Sequence, residues 1–112
     1  MNLIGEKEMS EKYILDDEGN PVECNDLMKW GRWFEMADNM RIVGKNFIGD
    51  VHVSTVFLGM DHNFGYGESR EPILYETMIF GGKHNDYQER YATRAEAIEG
   101  HARALKMVME EQ

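Results

Sequence analysis

The sequence is poor in the residues that mark secreted, membrane-bound and nucleic-acid-binding proteins. Its 112 residues include one cysteine, Cys24, which excludes a disulfide bond within the chain and is typical of a reducing cytosol. The longest apolar run, residues 56–60, is far shorter than the ~20 residues of a membrane-spanning helix. With 12 Lys and Arg against 21 Asp and Glu, the net charge of -9 argues against nucleic acid polymers as partners. We therefore predict a cytoplasmic protein with neither a membrane nor a nucleic acid polymer as partner.

The negative charge is concentrated near the N-terminus. Residues 1–26 hold eight acidic and two basic residues, whereas residues 27–112 hold thirteen and ten. Because the first residues are polar and weakly patterned, we expect a flexible acidic leader over residues 1–11 and a single domain over residues 12–112. The nearly balanced body can host a local anion site although the whole chain is acidic.

Two helices are predicted, one near each end of the domain. Asn25 and Asp26 are good N-caps, and the apolar residues that follow recur at helical spacing: Leu27, Trp30, Phe34 and Ala37. Thr93 and Glu96 match a capping box at the start of the second helix. We expect its buried stripe to consist of Ile98, Ala102, Leu105 and Met109, with His101 at the border.

The remaining segments are predicted to form strands. Residues 13–15 and 22–24 flank a dense turn signal and predict a small hairpin. Residues 41–43 predict a strand that leads into a turn at residues 44–46, and residues 51–58, 73–80 and 88–91 predict three more strands. The fold class is therefore α+β, with a small antiparallel sheet of about four to six strands packed against two amphipathic helices.

Polar residues gather in the middle of the two most apolar strands. Alternation places His52 and Ser54 on one face of the first strand, while Glu76 and Thr77 lie at the centre of the second. Two registers are open: one sets Thr55 beside Glu76, and the other brings His52, Ser54 and Glu76 onto a common face. In either register a carboxylate in so apolar a strand needs a partner. Since both strands are apolar on both faces, we expect the sheet to be covered on both sides.

The long connection between these strands supplies further candidate ligand residues. It is rich in glycine and contains Asp61, His62, Tyr66 and Arg70. Arg70 is placed to reach a phosphate and Tyr66 to stack on a base. The four histidines of the chain lack the spacing of a zinc site, and no nucleotide-binding glycine motif lies between a strand and a helix. We predict neither a metal nor a cofactor.

Several segments resemble small proteins encoded by tailed bacteriophages. The similarity is carried by residues 30–35, by the block Asp50-Val51-His52-Val53-Ser54-Thr55-Val56-Phe57-Leu58-Gly59-Met60-Asp61-His62-Asn63-Phe64-Gly65, by residues 75–82 and by residues 90–102, within a span of about 12–108. The resemblance implies a phage accessory protein made in the host bacterial cytoplasm. Small phage accessory proteins often counter host defence, and one recurrent way is to sequester nucleotide immune signals. The proteins that do so are usually homo-oligomers.

The resulting hypothesis is a protein that binds and sequesters a small nucleotide, such as a cyclic nucleotide or an ADP-ribose derivative. Its predicted ligand-binding residues are His52, Ser54, Asp61, His62, Tyr66, Arg70, Glu76 and Thr77. One alternative is a metal-independent phosphodiesterase that uses His52 with His62 or His101 as acid and base, because His52-Val53-Ser54 is half of a paired His-x-Ser/Thr signature. Another alternative is an acidic inhibitor that binds a host defence protein.

Overall fold

The computed structural model describes residues 11–63 and 71–111 and confirms the α+β class. It contains a two-stranded sheet, a four-stranded sheet and two helices, all strand pairs being antiparallel. In chain order the elements are β1 (Tyr13–Leu15), β2 (Pro21–Glu23), α1 (Leu27–Met36), β3 (Ile42–Ile48), β4 (Val51–Phe57), β5 (Tyr75–Phe80), β6 (Gln88–Tyr91) and α2 (Arg94–Glu110).

The N-terminal hairpin and both helix starts follow the predicted local chemistry. The Asp16 carboxylate accepts hydrogen bonds from the backbone N–H groups of Glu18 and Asn20, which closes the turn between β1 and β2. Asp26 caps α1 by accepting from the N–H of Lys29 at 3.0 Å. Thr93 and Glu96 form the capping box of α2. These three predictions are confirmed. Each concerns residues only a few positions apart, so the local sequence is enough to make it.

The turn before β4 lies later in the chain than predicted. We expected a turn at residues 44–46, but β3 continues through them to Ile48, and the chain reverses at Gly49 and Asp50. Gly49 adopts a φ of 59°, which glycine tolerates best. Gly44 has a different role, because a Cβ there would lie 2.7 Å from the ring of His101. Because Gly44 has no side chain, the His101 ring of α2 can approach β3 at this position.

The four-stranded sheet has the order β3-β4-β5-β6, and its register selects one of the two arrangements considered above. Thr55 lies opposite Thr77, and Val56 lies opposite Glu76. His52, Ser54 and Glu76 therefore share one face, while Thr55 and Thr77 share the other.

α2 packs on the face that carries Thr55, which we call the covered face. Its sheet residues are Gly44, Asn46, Ile48, Val51, Val53, Thr55, Phe57, Tyr75, Thr77, Ile79, Glu89 and Tyr91. At one end of this face Trp33 of α1 packs edge-on against Phe57, with ring centroids 5.9 Å apart. The indole N–H of Trp30 donates to the carbonyl of Gly59 at 2.9 Å and fastens α1 to the end of β4.

The predicted buried stripe of α2 is wrong except at Leu105, which is partly buried against the core. Ile98 and Met109 are 50% and 62% exposed, and Ala102 is exposed too. The buried residues are instead Ala97, Gly100, His101, Ala104 and Val108. The physical reason is a close approach: a Cβ at Gly100 would lie 2.0 Å from the hydroxyl oxygen of Tyr91. Small residues and an imidazole fit against the tyrosine and threonine hydroxyls, where large apolar side chains would not.

The opposite face of the sheet, which we call the open face, carries no described helix. Its residues are Lys45, Phe47, His52, Ser54, Val56, Glu76, Met78, Phe80, Gln88 and Arg90. We expect the helices on one face and a sheet covered on both sides; among residues 11–63 and 71–111 the helices do cover one side only. Neither of these helices combines the length and apolar composition that crossing a membrane requires.

Two helix glycines are expected to respond in opposite directions to alanine. Gly100→Ala should lower the free energy of unfolding by about 1–3 kcal/mol, because the new methyl group overlaps Tyr91. Gly31→Ala in α1 is the matched control: nothing lies within 4 Å of its Cβ position, so it should raise the free energy by up to about 1 kcal/mol. Urea denaturation measures both. Stabilisation by Gly100→Ala would contradict the close approach of α2.

Candidate functional site

Three of the eight predicted ligand residues, His52, Ser54 and Glu76, come together on the open face. They lie on the two central strands, in three successive rows across the sheet. Each row is two residues further along the strands, a step of about 7 Å. The open face therefore presents a surface of mixed chemistry that is long enough for a small organic anion.

The first row consists of three aromatic rings, which we call the aromatic row: Phe47, His52 and Phe80. The rings of Phe47 and His52 stack with centroids 4.4 Å apart and an interplanar angle of 13°, and Phe80 lies 5.6 Å from His52 on the other side. Phe47 is 66% exposed and Phe80 is 43% exposed. The Nε2 atom of His52 is buried between them without a hydrogen-bond partner. Such exposed rings on a sheet are suited to stacking against a flat ligand.

The other two rows are polar. Lys45, Ser54, Met78 and Gln88 form the middle row. In the last row Arg90 Nε donates to the Glu76 carboxylate at 2.9 Å, and the side-chain amide of Gln88 donates to the same oxygen. The prediction that Glu76 needs a partner is confirmed, since its side chain is only 12% exposed.

The open face differs in charge from the rest of the protein. Among the described residues that form it, Lys45 and Arg90 are basic and Glu76 is acidic. The face is thus slightly positive, whereas the whole chain has a net charge of -9. Its net positive charge favours an anion, and Lys45 is the cationic side chain of this face that is not paired with Glu76.

Thr77 does not join this group, because it lies on the covered face. Its hydroxyl bonds to Thr55 Oγ1 at 2.5 Å and accepts from the Tyr91 hydroxyl at 3.0 Å. Thr55 in turn bonds to His101 Nδ1 at 2.7 Å, and His101 Nε2 bonds to Asn46 Oδ1 at 2.7 Å. Thr77 is fully buried and His101 is 8% exposed, so these groups are internal structure.

Asp61 and His62 are occupied in organising the loop after β4. The Asp61 carboxylate accepts from the backbone N–H groups of Asn63 at 2.8 Å and Ile73 at 2.9 Å, which ties the start of the loop to its end. The imidazole Nδ1 of His62 donates to the carbonyl of Met60 at 2.9 Å. The two remaining predicted residues, Tyr66 and Arg70, lie outside the described residues.

The histidines do not assemble an acid–base pair. His52 and His101 are on opposite faces of the sheet. His62 follows the far end of β4, and the strand from His52 to Phe57 alone spans about 17 Å. General acid–base catalysis needs both groups within hydrogen-bonding reach of one substrate. The described geometry therefore does not bring His52 together with His62 or His101 at one substrate.

Sequence reasoning missed Phe47, Phe80 and the cations Lys45 and Arg90 as members of the site. A signal for Phe47 was present. A two-residue turn at Gly49 and Asp50 pairs Ile48 with Val51, and hence Phe47 with His52. Arg90 could not be found in this way, because the pairing of β6 with β5 is set across a separate loop.

A cavity of about 410 Å³ lies elsewhere, where β6 meets α2. Its walls include Glu89, Arg90 and Tyr91 from β6 and Glu96, Glu99 and Arg103 from α2. None of the eight predicted ligand residues lines it. In the part of the chain that the structure describes, no three His, Cys, Asp or Glu side chains are grouped to hold a metal ion.

Comparison with family models, with curated proteins and with solved structures finds no match to this chain. The resemblance to tailed-phage proteins therefore stays a prediction.

Replacing Asp61 is expected to affect stability and leave the open face intact. Asp61→Ala should lower the free energy of unfolding by about 1–3 kcal/mol, because the two backbone N–H groups lose their acceptor. Asp17→Ala, an exposed turn residue of the β1–β2 hairpin, is the control and should change it by less than about 0.5 kcal/mol. Chemical denaturation measures both. Equal stability of the two variants would show that Asp61 does not close the loop.

The stability of the protein is expected to fall as the pH drops below 6.5. Burial lowers the pKa of His101 in the folded protein, so the unfolded chain binds a proton first as the pH decreases. The loss of stability grows until His101 is protonated in the folded state as well. It fades as the pH rises above 6.5, where His101 becomes neutral in both the folded and the unfolded state. Denaturation curves between pH 5 and pH 7.5 test this against His101→Gln. A variant with the same pH dependence as the wild type would refute it.

Proposed function

We propose that the protein binds a small nucleotide on its open face and sequesters it without cleaving it. The observation that carries the proposal is the aromatic row, whose exposed phenyl rings flank His52 beside cationic side chains. Exposed aromatic side chains on a sheet are the usual platform for nucleobases, because every base offers a flat face for stacking.

The rows beside the aromatic row supply groups for the rest of a nucleotide. Lys45 lies one row away from Phe47 on the same strand and can meet a phosphate. Ser54 and Gln88 lie in the same middle row and offer a hydroxyl and an amide to a ribose or a base edge. Arg90 is already paired with Glu76, so it contributes positive potential to the open face rather than a free hydrogen-bond donor.

Sequestration is favoured over turnover by the separation of the histidines. His52 stands alone among the aromatic rings of the open face, and His101 lies beneath α2. A ligand on the aromatic row would meet one imidazole only, whereas the predicted phosphodiesterase needs two.

The resemblance to tailed-phage proteins suggests which nucleotides to test. Within the proposal, the protein is a phage accessory factor in the host cytoplasm that removes a nucleotide immune signal. The exposure of Phe47 and Phe80 also agrees with a homo-oligomer in which a second copy closes over the bound nucleotide. Native mass spectrometry with and without ligand measures that stoichiometry.

Substitution of Phe47 tests the proposed surface directly. Isothermal titration with cyclic mononucleotides, cyclic dinucleotides and ADP-ribose should identify a ligand, and Phe47→Ala should weaken its binding by about tenfold or more, the value of one lost stacking contact. Met28→Ala, which removes an equally exposed apolar side chain from α1, is the matched control and should bind normally.

No heat with any of these nucleotides, or unchanged binding by Phe47→Ala, would overturn the proposal. A separate measurement decides between sequestration and cleavage. The protein is incubated with the ligand and denatured by heat, and the released nucleotide is chromatographed. Recovery of intact ligand is expected, and a cleaved product would support the phosphodiesterase alternative.

A further inference from the structure

Six polar side chains are joined end to end beneath α2, and we call them the relay: Asn46, His101, Thr55, Thr77, Tyr91 and Glu89. Five hydrogen bonds connect them, with lengths of 2.7, 2.7, 2.5, 3.0 and 3.2 Å in that order. The relay crosses the whole sheet from β3 to β6. Its Asn46 end lies between Lys45 and Phe47 in sequence, and its Glu89 end borders the 410 Å³ cavity.

With a neutral His101 the protons of the relay point toward Asn46. The Asn46 Oδ1 atom can only accept, so His101 carries its proton on Nε2. His101 Nδ1 then accepts from the Thr55 hydroxyl, which is free to accept from Thr77. Thr77 in turn accepts from the hydroxyl of Tyr91.

A protonated His101 is accommodated by reversing the hydroxyl groups without moving a heavy atom. The added proton comes from solvent and sits on Nδ1, which donates to Thr55 while Nε2–H still donates to Asn46. Thr55 now donates to Thr77, and Thr77 donates to the Tyr91 oxygen. Tyr91 turns its proton to the Glu89 carboxylate at 3.2 Å. Every donor then has an acceptor, and the positive charge is linked to a negative one.

We propose that the relay is reversible and couples the protonation of His101 to the Glu89 carboxylate on the far side of the sheet. A chain of hydroxyl groups suits this task, because each hydroxyl can donate in either direction. Without the Thr55 hydroxyl, the Nδ1–H group of a buried His101 imidazolium would lack an acceptor, whereas its Nε2–H group has Asn46.

Glu89 is held in the ionised form that the relay requires. Its partial burial works against ionisation, but hydrogen bonds from Tyr87 and Arg103 outweigh burial and lower the pKa of this carboxyl. Arg103 donates to its two oxygens at 3.1 and 3.2 Å, and the Tyr87 hydroxyl donates at 2.8 Å. The acceptor at the end of the relay is therefore held toward its charged form.

Few other ionisable groups face His101 from the elements packed around it. Among the described residues of the covered face, β3 and β4 contribute none and β5 contributes Tyr75. β6 contributes Tyr91 and Glu89, next to Tyr87, and α2 itself contributes Arg103. Glu89 is the sole carboxylate of this set, so it is the natural counter-charge for His101.

Cutting the relay at Thr77 tests the proposal, because Thr77 touches neither His101 nor Glu89 in the relay. In Thr77→Val the hydroxyl of Thr55 has no acceptor when His101 is protonated. The protonation constant of His101 should fall roughly five-fold or more, which corresponds to one unsatisfied buried hydroxyl. In the neutral state the two bonds of the Thr77 hydroxyl are lost, but Thr55 still donates to His101 and the Tyr91 hydroxyl can turn to Glu89. No buried hydroxyl is then left without an acceptor, so the variant should fold at pH 7.5.

Long-range ¹H–¹⁵N spectra of the imidazole nitrogens follow the titration, with His101→Gln identifying the signal. Neutral His101 should carry its proton on Nε2. Thr77→Ser restores the hydroxyl and should titrate like the wild type, while Tyr91→Phe cuts the relay at a second point and should lower the constant as Thr77→Val does. Unchanged titration in both Thr77→Val and Tyr91→Phe, or a neutral Nδ1–H tautomer, would overturn the relay.

Discussion

The hydrogen bond between His101 and Thr55 is the contact on which the arrangement of this protein depends. It places an imidazole of α2 against a hydroxyl at the centre of the sheet, in a region closed to water. Burying these groups is unfavourable unless each finds a partner, so α2 is stable only where His101, Thr55, Thr77 and Tyr91 meet. Gly44 and Gly100 make that position accessible by leaving room for the imidazole and the tyrosine hydroxyl.

The placement of α2 determines what remains for the other face of the sheet. Because the helix takes the face of Thr55 and Thr77, the alternate residues of β4 and β5 are left on the open face. These include His52, Ser54 and Glu76, to which β3 adds Lys45 and Phe47. The same alternation thus separates a polar interior that holds the fold together from a surface of exposed rings and cations that is available for binding.

Much of the fold could be predicted from the sequence, and the errors have specific causes. The β1–β2 hairpin, the two helix starts and the existence of the four sheet strands follow from local signals and are confirmed, although β3 is longer than predicted. The buried stripe of α2 could not be found from apolar spacing, because the sheet offers hydroxyl groups to the helix and selects His101 and Gly100 in place of Ile98 and Met109. Of the candidate site, His52, Ser54 and Glu76 were identified, but their partners were not.

The sequence by itself determined the element types, the alternation along each strand and the need of Glu76 for a partner, because these depend on neighbouring residues and on the cost of burying a charge. Only the tertiary structure decided the register that sets Thr55 against Thr77 and the pairing of Glu76 with Arg90. These contacts join residues of different strands, and a shift of one residue, which local pattern permits equally well, would have exchanged the two faces.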